Sequence, residues 1–171
     1  IVVTSVADSG PGTLRQAILV ARPGDTITFD PTVFSPDNPS TIFLENIAVN
    51  GNALRIISQG GLMIHSSNAG VILDGSKIHM DWVNGLSISS DGNTIQGLQI
   101  VNFSGSGIAI CSASYNKLGG NRNIGDGSLG QGNLVGKNGI GIDLCDKGSN
   151  NTITGNIIGT DLSATEDWGN K

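Results

Sequence analysis

The chain has 171 residues, a length that fits one domain with its own hydrophobic core. Charged residues make up 13% and aromatic residues 4%, whereas glycine occurs 26 times and asparagine 17 times. This composition is poor in helix formers and rich in residues that tolerate tight turns. The net charge is −5 and the nine Lys and Arg are scattered, so neither nucleic acid nor an anionic membrane surface is an expected partner. No apolar stretch approaches the ~20 residues of a membrane-spanning helix.

The N-terminal segment is predicted to form a short strand and then a helix that covers one end of the core. The strand "IVVTS" and the turn "DSGPG" precede "TLRQAILVA", in which Thr13 and Gln16 have the spacing of a capping box. One face of the helix carries four apolar residues: Leu14, Ala17, Ile18 and Ala21. We therefore expect residues 1–30 to hold this strand, the capping helix and the start of the first coil.

Two families of short strands recur along residues 31–171. The first begins with glycine, at Gly61, Gly85, Gly107 and Gly141, in steps of 24, 22 and 34 residues. The second ends with glycine, at Gly75, Gly97, Gly120 and Gly155, in steps of 22, 23 and 35 residues. Both families gain about 12 residues in the same interval, which indicates a loop insertion at 121–131. A period near 22 without a helix predicts an all-β fold, a parallel β-helix with coils of about 22 residues.

Asparagine and glycine residues beside the strands are predicted to form the corners of the coils. Corners need left-handed backbone, which these residue types tolerate, and an asparagine amide can also bond to the next coil. The corner asparagines are expected to be Asn93, Asn116, Asn133, Asn151 and Asn156. The corner residues with positive φ are expected to include Gly97, Gly120 and Gly155.

Stacked coils bring residues of matching phase together, which allows a search for catalytic pairs. The outward column is predicted to be Met63, Ser87, Ala109 and Asp143. The column before the corner is predicted to be Asp74, Gln96, Gly119 and Thr154. Neither column has titratable groups on neighbouring coils, whereas glycoside hydrolysis needs two carboxylates ~5–9 Å apart.

The two cysteines occupy the same phase of neighbouring coils. Cys111 follows "GIAI" and Cys145 follows "GIDL". Adjacent coils lie ~4.8 Å apart, which is within the Cα distance range of a disulfide. We predict that the two residues are neighbours and form a candidate disulfide, with a reduced pair as the alternative. A bond would favour an exported protein.

The stretch "DGSKIHMDWVNG", residues 74–85, holds the densest group of chemically active side chains. Its candidate catalytic residues are Asp74, Lys77, His79 and Asp81. A lyase would use Asp74 and Asp81 to hold calcium, Lys77 as the base and Trp82 as a sugar platform. The alternative is a solvated loop with one aromatic side chain over the core, and the stretch contains no arginine.

Two long segments carry a resemblance to a known family. "VTSVADSGPGTLRQAI" with "GDTITFD" resembles the N-terminal segment of bacterial right-handed parallel β-helix repeat proteins, and "NLVGKNGIGIDLCDKGSNNTITGNIIGTDLSAT" resembles their internal repeats. The resemblance covers most of the chain and implies a single pectin-lyase-like β-helix domain over residues 1–171. It also implies a secreted or cell-surface location. The end, "LSATEDWGNK", has no obvious cap, so we expect the natural protein to continue.

Three functions fit these patterns, because this fold hosts enzymes and non-catalytic modules alike. The first is a non-catalytic extracellular module that presents a surface to glycans or partner proteins, with Trp82 and Tyr115 as aromatic platforms. It needs no cofactor. The second is a polysaccharide lyase or glycoside hydrolase, for which calcium is the expected ion. The third is a structural spacer whose coils stack end to end or against neighbouring domains.

Overall fold

The computed structural model describes residues 1–48, 50–57 and 60–171, and it forms a parallel β-helix. Sheet 1 contains β1 (Val2–Val3), β2 (Thr26–Phe29), β5 (Met63–His65), β8 (Thr94–Gln96), β11 (Lys117–Gly119) and β14 (Thr152–Thr154). Sheet 2 contains β3 (Ser40–Phe43), β6 (Val71–Asp74), β9 (Leu98–Val101), β12 (Leu134–Gly136) and β15 (Ile157–Ile158). Sheet 3 contains β4 (Asn52–Ile56), β7 (Asn84–Ile88), β10 (Ser106–Cys111) and β13 (Ile140–Cys145). The predicted fold class is confirmed.

The core lies between the three sheets and is built from columns of aliphatic side chains. In β10, Ile108 and Ile110 are buried, and they pair in register with Leu86 and Ile88 of β7. Because side chains alternate along a strand, one residue in two faces the core, and each coil covers the previous one. Full burial of such a side chain contributes roughly 1.5–3 kcal/mol.

Helix α1 (Leu14–Val20) covers the N-terminal end of the core, as the sequence predicts. The Thr13 hydroxyl caps the helix by accepting a hydrogen bond from the Gln16 backbone N–H at 3.2 Å. Leu14, Ala17 and Ile18 are buried, and the helix contacts β1 and β4. The apolar face of α1 thus shields the first coil from water.

The coils are less uniform than predicted. Hydrogen bonds between successive coils show their different lengths. Asn84 and Ser106 are bonded across 22 residues, whereas Asn52 and Asn84 are bonded across 32. The period of about 22 is the shortest coil, and loops lengthen the others. The segment 121–131 is such a loop between β11 and β12, and it packs on an earlier coil through a Gly127 N–H to Ser67 carbonyl bond of 2.7 Å.

The predicted outward column is wrong at its first member. Arg55 of β4 pairs with Ser87, whereas Met63 of β5 pairs with Thr26 and Thr94 in sheet 1. The pattern Gly-apolar-x-apolar fits the strand after Gly61, but the strand that continues sheet 3 begins at Asn52 without that glycine. Matching the sequence pattern therefore assigned the wrong strand to sheet 3.

The second predicted column is wrong at the same coil. Asp74 pairs with Phe43 and Val101 in sheet 2, and it is His65 that pairs with Gln96. Neither corrected column places two titratable residues on neighbouring coils. These columns therefore hold no pair of carboxylates for glycoside hydrolysis.

The five predicted corner asparagines form ladders between coils. Asn93 donates its backbone N–H to the Asn116 Oδ1 at 2.8 Å, and Asn133 donates likewise to Asn156 at 3.0 Å. A third ladder, Asn138 to Asn170 at 3.1 Å, was not predicted. Each ladder satisfies buried backbone donors at a corner where no strand can do so.

The predicted left-handed backbone is confirmed at two glycines and lies one residue earlier than expected at other corners. The ladder residues do not have positive φ; in one corner it is the residues before them that do, namely Gly92 (φ 74°), Tyr115 (φ 59°) and Asn150 (φ 56°). Gly97 (φ 80°) and Gly155 (φ 65°) have the predicted positive φ. Gly120 does not, and Gly119 (φ 88°) takes that conformation instead.

Candidate functional site

Some of the candidate catalytic residues in 74–82 make structural contacts, and others are exposed to solvent. Asp74, at the end of β6, accepts hydrogen bonds from the Ser76 N–H (2.7 Å) and the Asn102 Nδ2 (3.0 Å). Lys77 pairs with Glu45 at 3.0 Å and lies 4.7 Å from the Phe43 ring centroid. These contacts hold a turn and tie a loop to the coil below.

His79 lies on the exposed part of the same loop. Within the part of the chain that the structure describes, its side chain has no hydrogen-bond partner. The four candidate catalytic residues therefore do not form one cluster of mutual contacts, and the lyase roles assigned to them stay a prediction.

Asp81 and Trp82 line a groove of about 530 Å³. The other lining residues come from the turn after β9, the segment between β12 and β13, and the chain end: Asn102, Phe103, Ser104, Lys137, Asn138, Gly139 and Lys171, together with Gly75, Ser76 and Ile78. The groove thus spans neighbouring coils. Trp82 is 75% exposed, which leaves a large part of its indole available to a ligand.

The walls of the groove are held by specific hydrogen bonds. The Ser104 hydroxyl donates to the Met80 carbonyl at 2.7 Å and accepts from the Val83 N–H at 3.0 Å, which anchors both sides of Trp82. The buried Asn138 accepts the Phe103 N–H at 3.0 Å. Trp82 has left-handed backbone (φ 58°), and the anchored loop holds it in that strained conformation.

Lys137 is a groove residue that sequence reasoning missed. Its backbone is left-handed (φ 58°), its N–H bonds to the Trp168 carbonyl at 2.7 Å, and its Nζ lies 4.2 Å from the Trp168 ring centroid. The position of Lys137 in the sequence was the signal for it. Lys137 directly precedes the ladder residue Asn138, and Asn102 directly precedes Phe103, whose N–H bonds to Asn138 on the next coil. Asn102 is left-handed too (φ 63°), and such corner residues lie outside the strands.

Tyr115 is 63% exposed but does not line the groove. It lies in the turn between β10 and β11, where its N–H bonds to the Ser149 carbonyl at 3.0 Å. The structure therefore separates the two predicted aromatic platforms, and only Trp82 is associated with the groove.

Cys111 and Cys145 are register partners on β10 and β13 and are joined by a disulfide with a Cα–Cα distance of 4.6 Å. Neither sulfur is available as a metal ligand or a nucleophile in this state. The pair fastens the last coil of sheet 3 to the coil before it.

Carboxyl groups with a lowered pKa lie outside the groove. Burial by itself raises the pKa of Asp8. Hydrogen bonds from Arg15 and from the Asn46 and Glu45 N–H groups lower it by more, so the pKa of Asp8 is lowered overall. The Ser163 hydroxyl and the Glu166 N–H lower the pKa of Asp161 well below its usual range. Both carboxylates hold local backbone together, so their shifts have a structural cause.

A family model described as "NosD: Periplasmic copper-binding protein (NosD)" matches residues 34–170 of the chain. The comparisons with curated proteins and with solved structures gave no match. The matched range includes every coil that contributes to the groove and ends one residue before Lys171.

Proposed function

Since the chain belongs to the NosD family, we propose that it is a non-catalytic β-helix module that works outside the cytoplasm. The family description names the periplasm, and the Cys111–Cys145 disulfide is a bond that persists in oxidising compartments. No helix in the described ranges is long and apolar enough to span a membrane.

The groove beside Trp82 is the proposed binding site, and its ligand is a glycan. The observation that carries this proposal is the exposed Trp82 indole on a groove whose walls also offer Asn102, Ser104 and Asp81. Sugar rings pack their C–H faces on aromatic rings and their hydroxyls bond to amide, hydroxyl and carboxylate groups. The rigid turn around Trp82 reduces the entropy that is lost on binding.

The cysteine and histidine residues of the described chain do not fit a resident copper ion. Copper is bound by thiolate, thioether and imidazole ligands, but both cysteines are in the disulfide. The ring nitrogens of His65 lie 3.2 Å from the Gln96 Oε1 and 3.1 Å from the Ser67 Oγ, while His79 is on a separate loop. Across the described chain no three His, Cys, Asp or Glu side chains converge. We therefore assign no step to copper, and calcium at Asp74 and Asp81 stays a prediction.

We favour binding over turnover because the groove has a single carboxylate, Asp81, among its described lining residues. A glycoside hydrolase uses two carboxylates, and the lysine assigned as a lyase base, Lys77, is paired with Glu45. A spacer, the third function, would leave the indole without a role.

The test is a glycan array that includes uronic-acid polymers, followed by calorimetry with the best ligand. Trp82→Ala should weaken binding at least about tenfold, because the loss of a stacked aromatic removes more than 1.4 kcal/mol. Tyr115→Ala is the matched control, since Tyr115 is also exposed, aromatic and left-handed but lies outside the groove. Equal effects of the two substitutions would contradict the site. An increase in unsaturated-product absorbance with any polymer would contradict the non-catalytic function.

A further inference from the structure

The groove beside Trp82 runs along the axis of the β-helix. Apart from Lys171, its lining residues come from the corner between sheets 2 and 3 in three successive coils, within the segments 75–82, 102–104 and 137–139. Neighbouring coils lie about 4.8 Å apart, so the groove extends over about 10 Å along the axis. A ligand that follows the groove therefore crosses one coil after another instead of following a single turn of the chain.

Asn50 occupies the same corner in the coil before Trp82. Asn52 is the register partner of Asn84 in sheet 3, so Asn50, two residues earlier, has the same phase as Trp82. The Asn84 N–H donates to the Gly51 carbonyl at 2.9 Å, which fixes the two corners against each other. Asn50 is therefore the next corner residue along the axis, on the side of Trp82 that faces away from the groove.

The side-chain amide of Asn50 is open to a ligand. Asn50 is exposed and has left-handed backbone (φ 64°), as Trp82 has (φ 58°), so the two side chains extend from the corner in similar directions. The Asn50 backbone carbonyl accepts the Asn52 Nδ2 at 3.0 Å, but within the described ranges its side-chain amide has no partner. A free carboxamide offers two N–H donors and one oxygen acceptor. This distinguishes Asn50 from the buried ladder asparagines, whose amides are used between coils.

We propose that the site binds the interior of a linear oligosaccharide that lies along the coil axis, with Asn50 as the hydrogen-bonding residue of a second subsite. The inference rests on the proposed glycan function of the groove. One sugar ring stacks on Trp82, and the oligosaccharide continues into the groove in one direction. In the other direction the next ring lies over Asn50, which is within reach because the coils are about 4.8 Å apart.

An open site of this kind favours the interior of a chain over a terminal sugar. Recognition of a terminus needs a wall that stops the chain on one side of the stacked ring. The indole of Trp82 is 75% exposed, with the groove on one side of it and the free amide of Asn50 on the other. Neither side of the indole is therefore closed by the described residues.

The test compares a hexasaccharide of the glycan that the array identifies with the methyl glycoside of its monosaccharide, both titrated by NMR. Asn50→Gly removes the amide and keeps the turn, because glycine adopts positive φ without strain. It should weaken binding of the hexasaccharide about three- to tenfold, the effect of one lost hydrogen bond, and change binding of the monosaccharide less than about twofold. The hexasaccharide alone should shift the amide signals of Asn50 and Gly51.

Asn150→Gly is the matched control, since Asn150 is also an exposed asparagine with left-handed backbone (φ 56°) but lies outside the groove. It should leave binding of both ligands unchanged. The proposal is overturned if Asn50→Gly binds the hexasaccharide as tightly as the parent does, or if it weakens both ligands equally, as a distorted turn beside Trp82 would. It is also overturned if the parent binds the hexasaccharide no more tightly than the monosaccharide.

Failure of the proposed function gives a different result. In that case no glycan binds, or Trp82→Ala binds the hexasaccharide as tightly as the parent, and the inference about Asn50 fails with it. If binding depends on Trp82 but not on Asn50, the groove remains a glycan site and only the second subsite is excluded.

Discussion

Asn116 donates its backbone N–H at 2.9 Å and its Nδ2 at 3.1 Å to a single atom, the Oδ1 of Asn151, which lies 35 residues later. Its own Oδ1 accepts the same two donors from Asn93, at 2.8 and 2.9 Å. One fully buried side chain therefore satisfies donors on one coil and uses an acceptor on another. The corner is continuous because each asparagine is both the acceptor for one coil and the donor to the next.

We expect Asn116→Ala to lower the free energy of unfolding by about 2–4 kcal/mol. The substitution leaves the Asn93 N–H without an acceptor in a buried corner and removes one of the Nδ2 acceptors, while Nδ2 still donates to the Ser90 carbonyl at 2.7 Å. An unsatisfied buried group costs about 1–3 kcal/mol. Urea denaturation measures the change. Asn123→Ala, in the exposed loop 121–131, is the control and should stay within about 0.5 kcal/mol of the parent. An effect at Asn116 no larger than that at Asn123 would show that the ladder does not stabilise the fold.

Reduction of the Cys111–Cys145 disulfide should destabilise the protein by about 3–4 kcal/mol in the chain-entropy estimate, because the bond closes a loop with a sequence separation of 34. Denaturation with and without a reducing agent measures the loss, and Cys111→Ser with Cys145→Ser should reproduce it. Thiol titration of the native protein should find no free cysteine. Two free thiols in freshly purified protein would contradict the bond itself.

Asp8 should make the N-terminal cap sensitive to acid. The carboxylate pairs with Arg15 and accepts the Glu45 and Asn46 N–H groups at 3.1 and 2.7 Å, and its pKa is lowered on folding. A lowered folded-state pKa stabilises the fold above the unfolded pKa, near 4, and this contribution is lost as the pH falls through the folded pKa.

Asp8→Asn should therefore lower the free energy of unfolding at pH 7 by about 1.5–3 kcal/mol, the range for hydrogen bonds to a charged group. Its difference from the parent should shrink below about pH 4, as measured by urea denaturation at a series of pH values. Asp126→Asn, at an exposed carboxylate in the loop 121–131, should follow the parent curve. A difference between Asp8→Asn and the parent that stays constant from pH 7 to pH 3 would exclude this role for Asp8.

Gly97→Ala should destabilise the fold much more than Gly24→Ala. Both glycines have left-handed backbone, with φ values of 80° and 83°, so both substitutions incur about 1–2 kcal/mol of backbone strain. A Cβ at Gly97 would also lie 2.5 Å from the Ser66 carbonyl carbon and 2.6 Å from the Ser67 nitrogen, whereas a Cβ at Gly24 meets no atom within 4 Å. Overpacking should add about 1–3 kcal/mol at Gly97 alone. Equal losses of stability in thermal denaturation would contradict the close approach of these two coils.

Much of the architecture follows from local patterns. The alternating aliphatic residues of "GIAI" and "GIDL" predict that the two strands stack in register, and the observed pairing of Ile110 with Leu144 follows that pattern. The Thr13 cap and the apolar face of α1 depend only on residues within one helix. These features were predictable because their physical cause acts over a few residues or repeats along the chain.

The register of the first coils and the membership of the groove were not predictable in this way. Arg55 rather than Met63 continues the column of Ser87, because the loops between the strands vary in length. The residues of a strand do not by themselves show which sheet the strand joins. Lys137 reaches the groove of Trp82 through the stacking of two corners that are distant in the chain.

The sequence by itself determined that this protein is a stack of short β-strands with asparagine corners and a helix over its N-terminal end. Only the tertiary structure decided which strands are neighbours and which of the candidate side chains share a groove. The reason is physical: side-chain alternation and backbone conformation are set locally, whereas a contact between coils depends on the summed lengths of every loop between them.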